Sequence, residues 1–244
     1  MACRRGPEMN SESDNSKNSR NSEGAIMGIP VFVLGASGAG KSSSLRNFSP
    51  DETGVFNVAG KPLPFRQKLK IVNNAGYDVI QSVLGQSSLN CYVIDDSQYL
   101  LAFDLFDKAE EKGYDKFTQM AVRFQRLIRF IQTRTPDDCV VYFLHHSEMG
   151  GDGILKAKTI GRMLDEKLTL EGLSSIVLMA KADQDGYRFV TQGRGVSTAK
   201  TPMGMFEEAE IDNDLKKVDD AIRAYYELAP RRLNAKRQNG KEAA

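Results

Sequence analysis

The sequence contains no tryptophan, only three cysteines, two histidines and eight prolines in 244 residues. Each scarcity removes a class of explanation. Cys3, Cys91 and Cys139 show no CxxC spacing, so neither a disulfide framework nor a thiolate zinc site is expected, and a reducing compartment suits them. Cys91 and Cys139 abut apolar runs and read as buried thiols. The histidines, His145 and His146, are adjacent, which leaves no spaced pair for zinc. No apolar run approaches the length of a membrane span, so no membrane association is expected. Arg4 and Arg5 precede no apolar stretch, so a secretory leader is not expected. Charge of one sign is also lacking, with 33 Lys and Arg against 32 Asp and Glu. Contact with a polyanion must therefore come from local basic patches. What remains is 41% hydrophobic, enough for one sizeable α/β domain with extra pieces.

The organising stretch is residues 31–43, which reads as a buried strand, a glycine-rich loop and the start of a helix. The loop fits G-x-x-x-x-G-K-[ST] at Gly35, Gly40, Lys41 and Ser42, the P-loop pattern. Gly35, Gly38 and Gly40 allow backbone conformations that bring N–H groups close to a phosphate, and those groups form a concave nest for its oxygens. A helix starting near Lys41 adds its positive end. Residues 35–43 (Gly35, Ala36, Ser37, Gly38, Ala39, Gly40, Lys41, Ser42 and Ser43) are thus the expected ATP-binding loop. Lys41 is expected to reach the β- and γ-phosphates, and Ser42 to ligate Mg²⁺.

Further on, residues 89–95 form an apolar run that ends in Asp95 and Asp96. An acid at the end of a parallel strand lies where ligands collect. Asp95 is the expected magnesium-side carboxylate. Residues 140–144 form another buried strand, followed by a loop in which His145, His146, Ser147 or Glu148 could sense the γ-phosphate. Residues 150–153 read as a mobile loop that orders on ligand binding. Strands are also expected at 55–58 and 70–72, and helices at 43–48, 77–84, 115–132, 159–168 and 212–226. In the 115–132 helix, Phe117, Met120, Phe124, Leu127, Ile128 and Ile131 form an apolar stripe, and Arg123, Arg126, Arg129 and Arg134 lie off it. Residues 176–180 and 187–191 flank Asp185-Gly186, a β-hairpin signature. Residues 1–25 read as a disordered polar tail, 26–229 as the folded domain, and 230–244 as a basic flexible tail.

The segments GASGAGKSSSLRNF, YVIDDSQYL, EKGYDKFTQMA, LHHSE, GRMLDEKLTLEGL, YRFVTQGRG and TAKTPMGMFEEAEIDNDLKKVDDAIRAYYE together resemble phage RecA-like P-loop ATPases of the Sak single-strand-annealing type, across residues 26–228. The resemblance implies an α/β fold with a RecA-like P-loop NTPase core: a mostly parallel sheet flanked by helices, with a C-terminal antiparallel β-hairpin. It implies an Mg-dependent ATPase of phage DNA recombination or repair in the host cytoplasm. Single-stranded DNA, a single-strand-binding protein and further copies in a ring or filament are the implied partners. Larger RecA relatives carry a catalytic Glu soon after the strand that follows the P-loop helix, but residues 55–60 contain no acid. The base is therefore expected at Asp96, with Glu148 second. Lys200, with Arg194 as alternate, is the candidate to reach a neighbouring subunit's γ-phosphate.

Two other functions fit a P-loop: a small-molecule kinase, and a non-catalytic nucleotide switch that loads a partner. A GTPase is disfavoured because no N-K-x-D motif occurs.

Overall fold

The computed structural model describes residues 28–86 and 88–234. The polar 1–25 segment, Cys3 and the basic residues Lys236, Arg237 and Lys241 lie outside them. The chain is α/β. Among the described residues, nine strands make one mixed sheet: β1 (Ile29–Gly35), β2 (Gly54–Asn57), β3 (Lys70–Asn73), β4 (Cys91–Asp95), β5 (Val140–Met149), β6 (Leu155–Ala157), β7 (Ile176–Asp183), β8 (Gly186–Val190) and β9 (Glu210–Asp212). The order is β3-β2-β4-β5-β1-β7-β8-β9, with β6 paired to β5. From β3 through β7 the pairs are parallel; β8, β9 and β6 are antiparallel additions.

Side chains alternate across a strand, and both faces of this sheet are covered, which is why its central strands are apolar throughout. Phe32 and Leu34 join one core cluster, Val31 and Val33 the other. The first face carries α1 (Tyr77–Gln86), α2 (Gln98–Asp107) and α3 (Asp115–Arg134). The stripe on α3 is buried from Met120 to Ile131, as its spacing predicts. Each such buried side chain contributes roughly 1.5–3 kcal/mol relative to exposure. The second face is covered by α4 (Leu215–Tyr225) and by the turn after the P-loop, through Leu45, Phe48, Leu215, Val218 and Ile222. Asp214 caps α4 by accepting from the backbone N–H groups of Lys216 and Lys217. The predicted hairpin is present as β7–β8, closed at Asp183 and Gly186, with Gly186 at φ +108°. No described helix is long and apolar enough to cross a membrane.

Several local expectations are corrected. The segment after the P-loop is a 3₁₀ turn at Ser42–Asn47, not an α-helix. Ser44 Oγ donates to Lys41 O at 2.6 Å, a side-chain bond that competes with the helical ladder. The predicted 159–168 helix is reduced to a π turn at Met163–Lys167 and a 3₁₀ turn at Glu171–Leu173. Gly161, at φ +83°, interrupts it. Strand β5 runs through His145-His146-Ser147-Glu148 and forms a hairpin with β6. Residues 150–153 are that hairpin's turn, tied by Gly150 N to Ile154 O at 2.8 Å, rather than a loose loop. Helix α2 was not foreseen.

The basic residues also land differently. Arg123 points inward to Asp104, at 2.8 Å, while Arg126, Arg129 and Arg134 stay exposed. Arg231 and Arg232 are not free. Arg231 Nη1 lies 2.7 Å from Asp219 Oδ2 and 2.7 Å from Asp220 Oδ1. Arg231 Nε lies 3.3 Å from Glu52. Arg232 Nη2 donates to both oxygens of Asp138, at 2.7 and 2.8 Å. Asp219, fully buried, also accepts from Tyr142 Oη at 2.8 Å and Arg223 Nε at 2.7 Å. Glu52, Asn90 and Asp138 precede β2, β4 and β5, so this network sits at the N-terminal ends of the parallel strands.

Candidate functional site

At the opposite, C-terminal ends of those strands, β1 delivers the glycine-rich loop and β4 delivers Asp95. Gly38 and Gly40 take φ of +81° and +87°, which a side chain would strain. A Cβ on Gly40 would lie 2.6 Å from the Tyr187 ring, and one on Gly35 2.9 Å from Ala180 O. The loop and β4 border a cavity of about 300 Å³ lined by Ser37, Gly38, Gly40, Lys41, Ser42, Ser43, Lys61, Pro62, Pro64, Asp95, Asp96, His146 and Tyr187. Gly35, Ala36 and Ala39 belong to the loop without lining the cavity; the Ala39 methyl is packed in the core, which leaves its backbone as the group available to a ligand.

The charges in this cavity are held uncomfortably. Lys41 folds back on its own loop and donates from Nζ to Gly35 O at 2.8 Å and Ala36 O at 2.9 Å. Burial pushes its ammonium down to about 8, against the attraction of Asp96 and Asp95. Ser42 Oγ donates to Asp95 Oδ1 at 2.7 Å. Burial pushes the Asp95 carboxyl up to about 6, partly offset by that bond. Asp96 adopts φ +58°, unusual for a non-glycine residue and tolerated best by Asp and Asn. Its carboxylate meets Lys61 Nζ at 2.6 Å and lies 3.4 Å from His146 Nε2, a contact without hydrogen-bond alignment. Burial resists ionisation of Asp96, but His146 and Lys61 prevail and hold it at about 2. Two adjacent carboxyls are thereby pushed apart.

The two histidines divide. His145 is fully buried, its Nε2 2.8 Å from Lys158 O and its Nδ1 2.9 Å from Ser97 Oγ. A carbonyl can only accept, so Nε2 carries the hydrogen and Nδ1 accepts from the serine. Burial pushes its pKa down to about 4, so it is a neutral strut that ties β5 to the start of α2 and to the segment after β6. His146, on the other pleat, faces the cavity. Lys61, from the loop after β2, completes the site and was not foreseen: only its contact with Asp96 identifies it. Tyr187 was not foreseen either; its place in the lining beside Gly40 identifies it.

Other candidates stand apart. Glu148 lies in the β5–β6 hairpin, where its Oε1 accepts from Thr159 N at 3.4 Å, and it does not line the cavity. Lys200 is exposed on a segment whose backbone pairs with Val177 in β7, at 2.8 Å in both directions. Arg194, also exposed, takes φ +45° in the same segment. Neither reaches the P-loop cavity of its own chain.

Magnesium suits the donor set. It takes hard oxygens and keeps several waters, so one or two protein ligands suffice. Ser42 and Asp95 supply such a pair. Among the described residues no cluster of three or more His, Cys, Asp or Glu could cage another metal. The chain matches no protein-family model and no curated protein.

Proposed function

We propose that this protein binds a nucleoside triphosphate, ATP by the sequence resemblance, and hydrolyses it with magnesium. The observation that carries this reading is the 2.7 Å bond from Ser42 Oγ to Asp95 Oδ1, beneath the glycine loop. Residues 53 positions apart in sequence meet there, at the edge where parallel sheets collect phosphate ligands. Magnesium, when bound by Ser42 and Asp95, would neutralise charge developing on the transferred phosphoryl group.

The chain's own residues supply the rest. The N–H groups of residues 37–43 cradle phosphate oxygens. Lys41 exchanges its grip on the Gly35 and Ala36 carbonyls for the β- and γ-phosphates. Asp96 orients the attacking water. Held at about 2, it is a weak proton acceptor at neutral pH, so it acts by positioning more than by proton abstraction. Lys61 balances its charge, and His146 sits where a γ-phosphate oxygen would be sensed. Tyr187, beside Gly40, offers its ring to the base.

The finer reading, a RecA-like core acting on single-stranded DNA in phage recombination within the host cytoplasm, rests on the sequence resemblance. It requires assembly into a ring or filament, since the basic groups left exposed on α3 are Arg126, Arg129 and Arg134. A single-strand-binding protein is the expected partner. Lys200 or Arg194 would act on a neighbour's nucleotide. The test is ATP turnover with magnesium or EDTA, with and without a single-stranded oligonucleotide, alongside light scattering. Stimulated turnover and ATP-dependent assembly are expected. Turnover that ignores DNA, in a protein that also fails to bind it at low salt, would leave the kinase or the switch instead.

A further inference from the structure

A second cavity of about 480 Å³ opens on the same edge of the sheet, beyond β2, between α1 and α2. It shares no lining residue with the phosphate site. Its volume is in the range of small-molecule sites. Tyr77 and Asp104 line it and are 6% and 5% exposed. Among the described residues, Tyr77 Oη and Asp104 Oδ2 have no hydrogen-bond partner. The other carboxylate oxygen is well served, by Arg123 Nη1 at 2.8 Å and by Lys108 Nζ at 3.8 Å. Arg123 lies over the Tyr77 ring, 4.6 Å from its centroid. Burial, with the Asp104 charge beside it, pushes the phenol's pKa up, so Tyr77 keeps its proton. One cavity is therefore backed by an unpaired acceptor and an unpaired hydroxyl, both buried in its wall, an arrangement native proteins rarely leave.

The surroundings select the occupant's chemistry. Asp78 and Asp107 add two carboxylates to Asp104, against the guanidinium of Arg123 and the Lys108 ammonium behind it, so the surroundings keep an excess of negative charge that favours a cation and repels phosphate. Phe103 and Val79, 45% and 44% exposed, give the mouth an apolar wall. We propose that this cavity binds a small organic cation, a protonated amine on an apolar body, whose ammonium donates to Asp104 Oδ2 beside the Tyr77 hydroxyl.

Phenethylamine is the probe, with 2-phenylethanol and phenylacetate as neutral and anionic controls of equal size. Isothermal titration or saturation-transfer NMR should show phenethylamine binding with a Kd on the order of 1 mM, as suits so small a ligand, and neither control binding comparably. Tyr77→Phe should weaken phenethylamine about fivefold, with no loss of thermal stability, because its hydroxyl has no partner to lose. Asp107→Asn, at the exposed end of α2, should weaken it about threefold. Equal binding of all three probes, no binding of phenethylamine up to about ten times that Kd, or wild-type affinity in Tyr77→Phe would each overturn the proposal.

Discussion

The two ends of the parallel sheet hold two charge clusters built on opposite plans. At the N-terminal ends, Asp219, Asp138 and Glu52 meet Arg223, Arg231 and Arg232 at hydrogen-bonding distances. Asp219 has its oxygens filled by Tyr142, Arg223 and Arg231. At the C-terminal ends, Lys41 bonds to its own loop instead of a carboxylate, and Asp95 is served by one hydroxyl. Burial moves both groups toward neutrality, to about 8 and about 6. One cluster is complete without a ligand. The other is arranged for charges it does not contain. Perturbed, under-paired groups in a cleft mark a functional site, whereas paired ones mark a structural joint.

Charge removal should therefore have opposite consequences at the two ends. The largest effect is expected from Asp219→Ala, which removes the carboxylate partner of buried Arg223, one of the partners of Arg231 and the acceptor of the Tyr142 hydroxyl. A loss of about 3–5 kcal/mol is expected, read by urea denaturation. A loss under about 1 kcal/mol, the scale of an exposed pair, would mean that the network is a surface feature.

Next comes Lys41→Ala. Its ammonium has only loop carbonyls to lose, so the fold should persist while ATP turnover drops by about 10²–10³, the scale for one preorganised donor. Circular dichroism and a phosphate-release assay check both halves, and undiminished turnover in the folded variant rejects the phosphate-site role. Asp96→Asn should keep ATP affinity and lower turnover about 10²-fold. If Glu148→Gln does this and Asp96→Asn does not, Glu148 is the group that positions water.

The smallest and most diagnostic effect is Asp95→Asn without nucleotide. The folded-state pKa of Asp95, about 6, exceeds the ordinary value of 3.8. The wild type thus carries its full ionisation penalty above pH 6, and the penalty fades as pH falls toward 3.8. Asparagine keeps an acceptor for Ser42. Asp95→Asn should therefore raise the apo melting temperature by a few degrees at pH 7 and by nearly nothing at pH 4, while magnesium-dependent turnover is lost. A drop in apo stability at pH 7 would place Asp95 with the structural charges.

What the sequence conveyed follows the same division. The loop from Gly35 to Ser42 is contiguous, and its glycines are needed by the local backbone, so its role reads directly. Asp95 reads almost as well, because its apolar strand follows the P-loop with a helix between, although an acid ending a strand says little by itself. Lys61 becomes meaningful only when β2 flanks β4, and His146 is singled out from its neighbours in 145–148 only when β5 does. Arg231 reads as tail because its partners, Glu52 and Asp219, arrive from other elements. Helix α2 escaped because it follows Asp95-Asp96-Ser97 almost without a loop, where the strand's signal hides its start. The 159–168 pattern misled in the other direction: apolar spacing suited a helix, but Gly161 set the backbone.

The joint made by Arg231 and Arg232 also bears on the timing of synthesis. Asp219, Asp138 and Glu52 leave the ribosome before the guanidiniums that neutralise them, and Asn234 N then bonds to Asp51 O at 3.0 Å. The phosphate loop emerges early, yet the ion-pair network at the opposite strand ends is incomplete until residue 232 is free. A translating ribosome adds about 5–20 residues per second. Throughout that interval Asp138 lacks Arg232, and Glu52 and Asp219 keep only Lys216 and Arg223 as cationic partners. Emergence of residues 231 and 232, more than emergence of the P-loop, completes that joint.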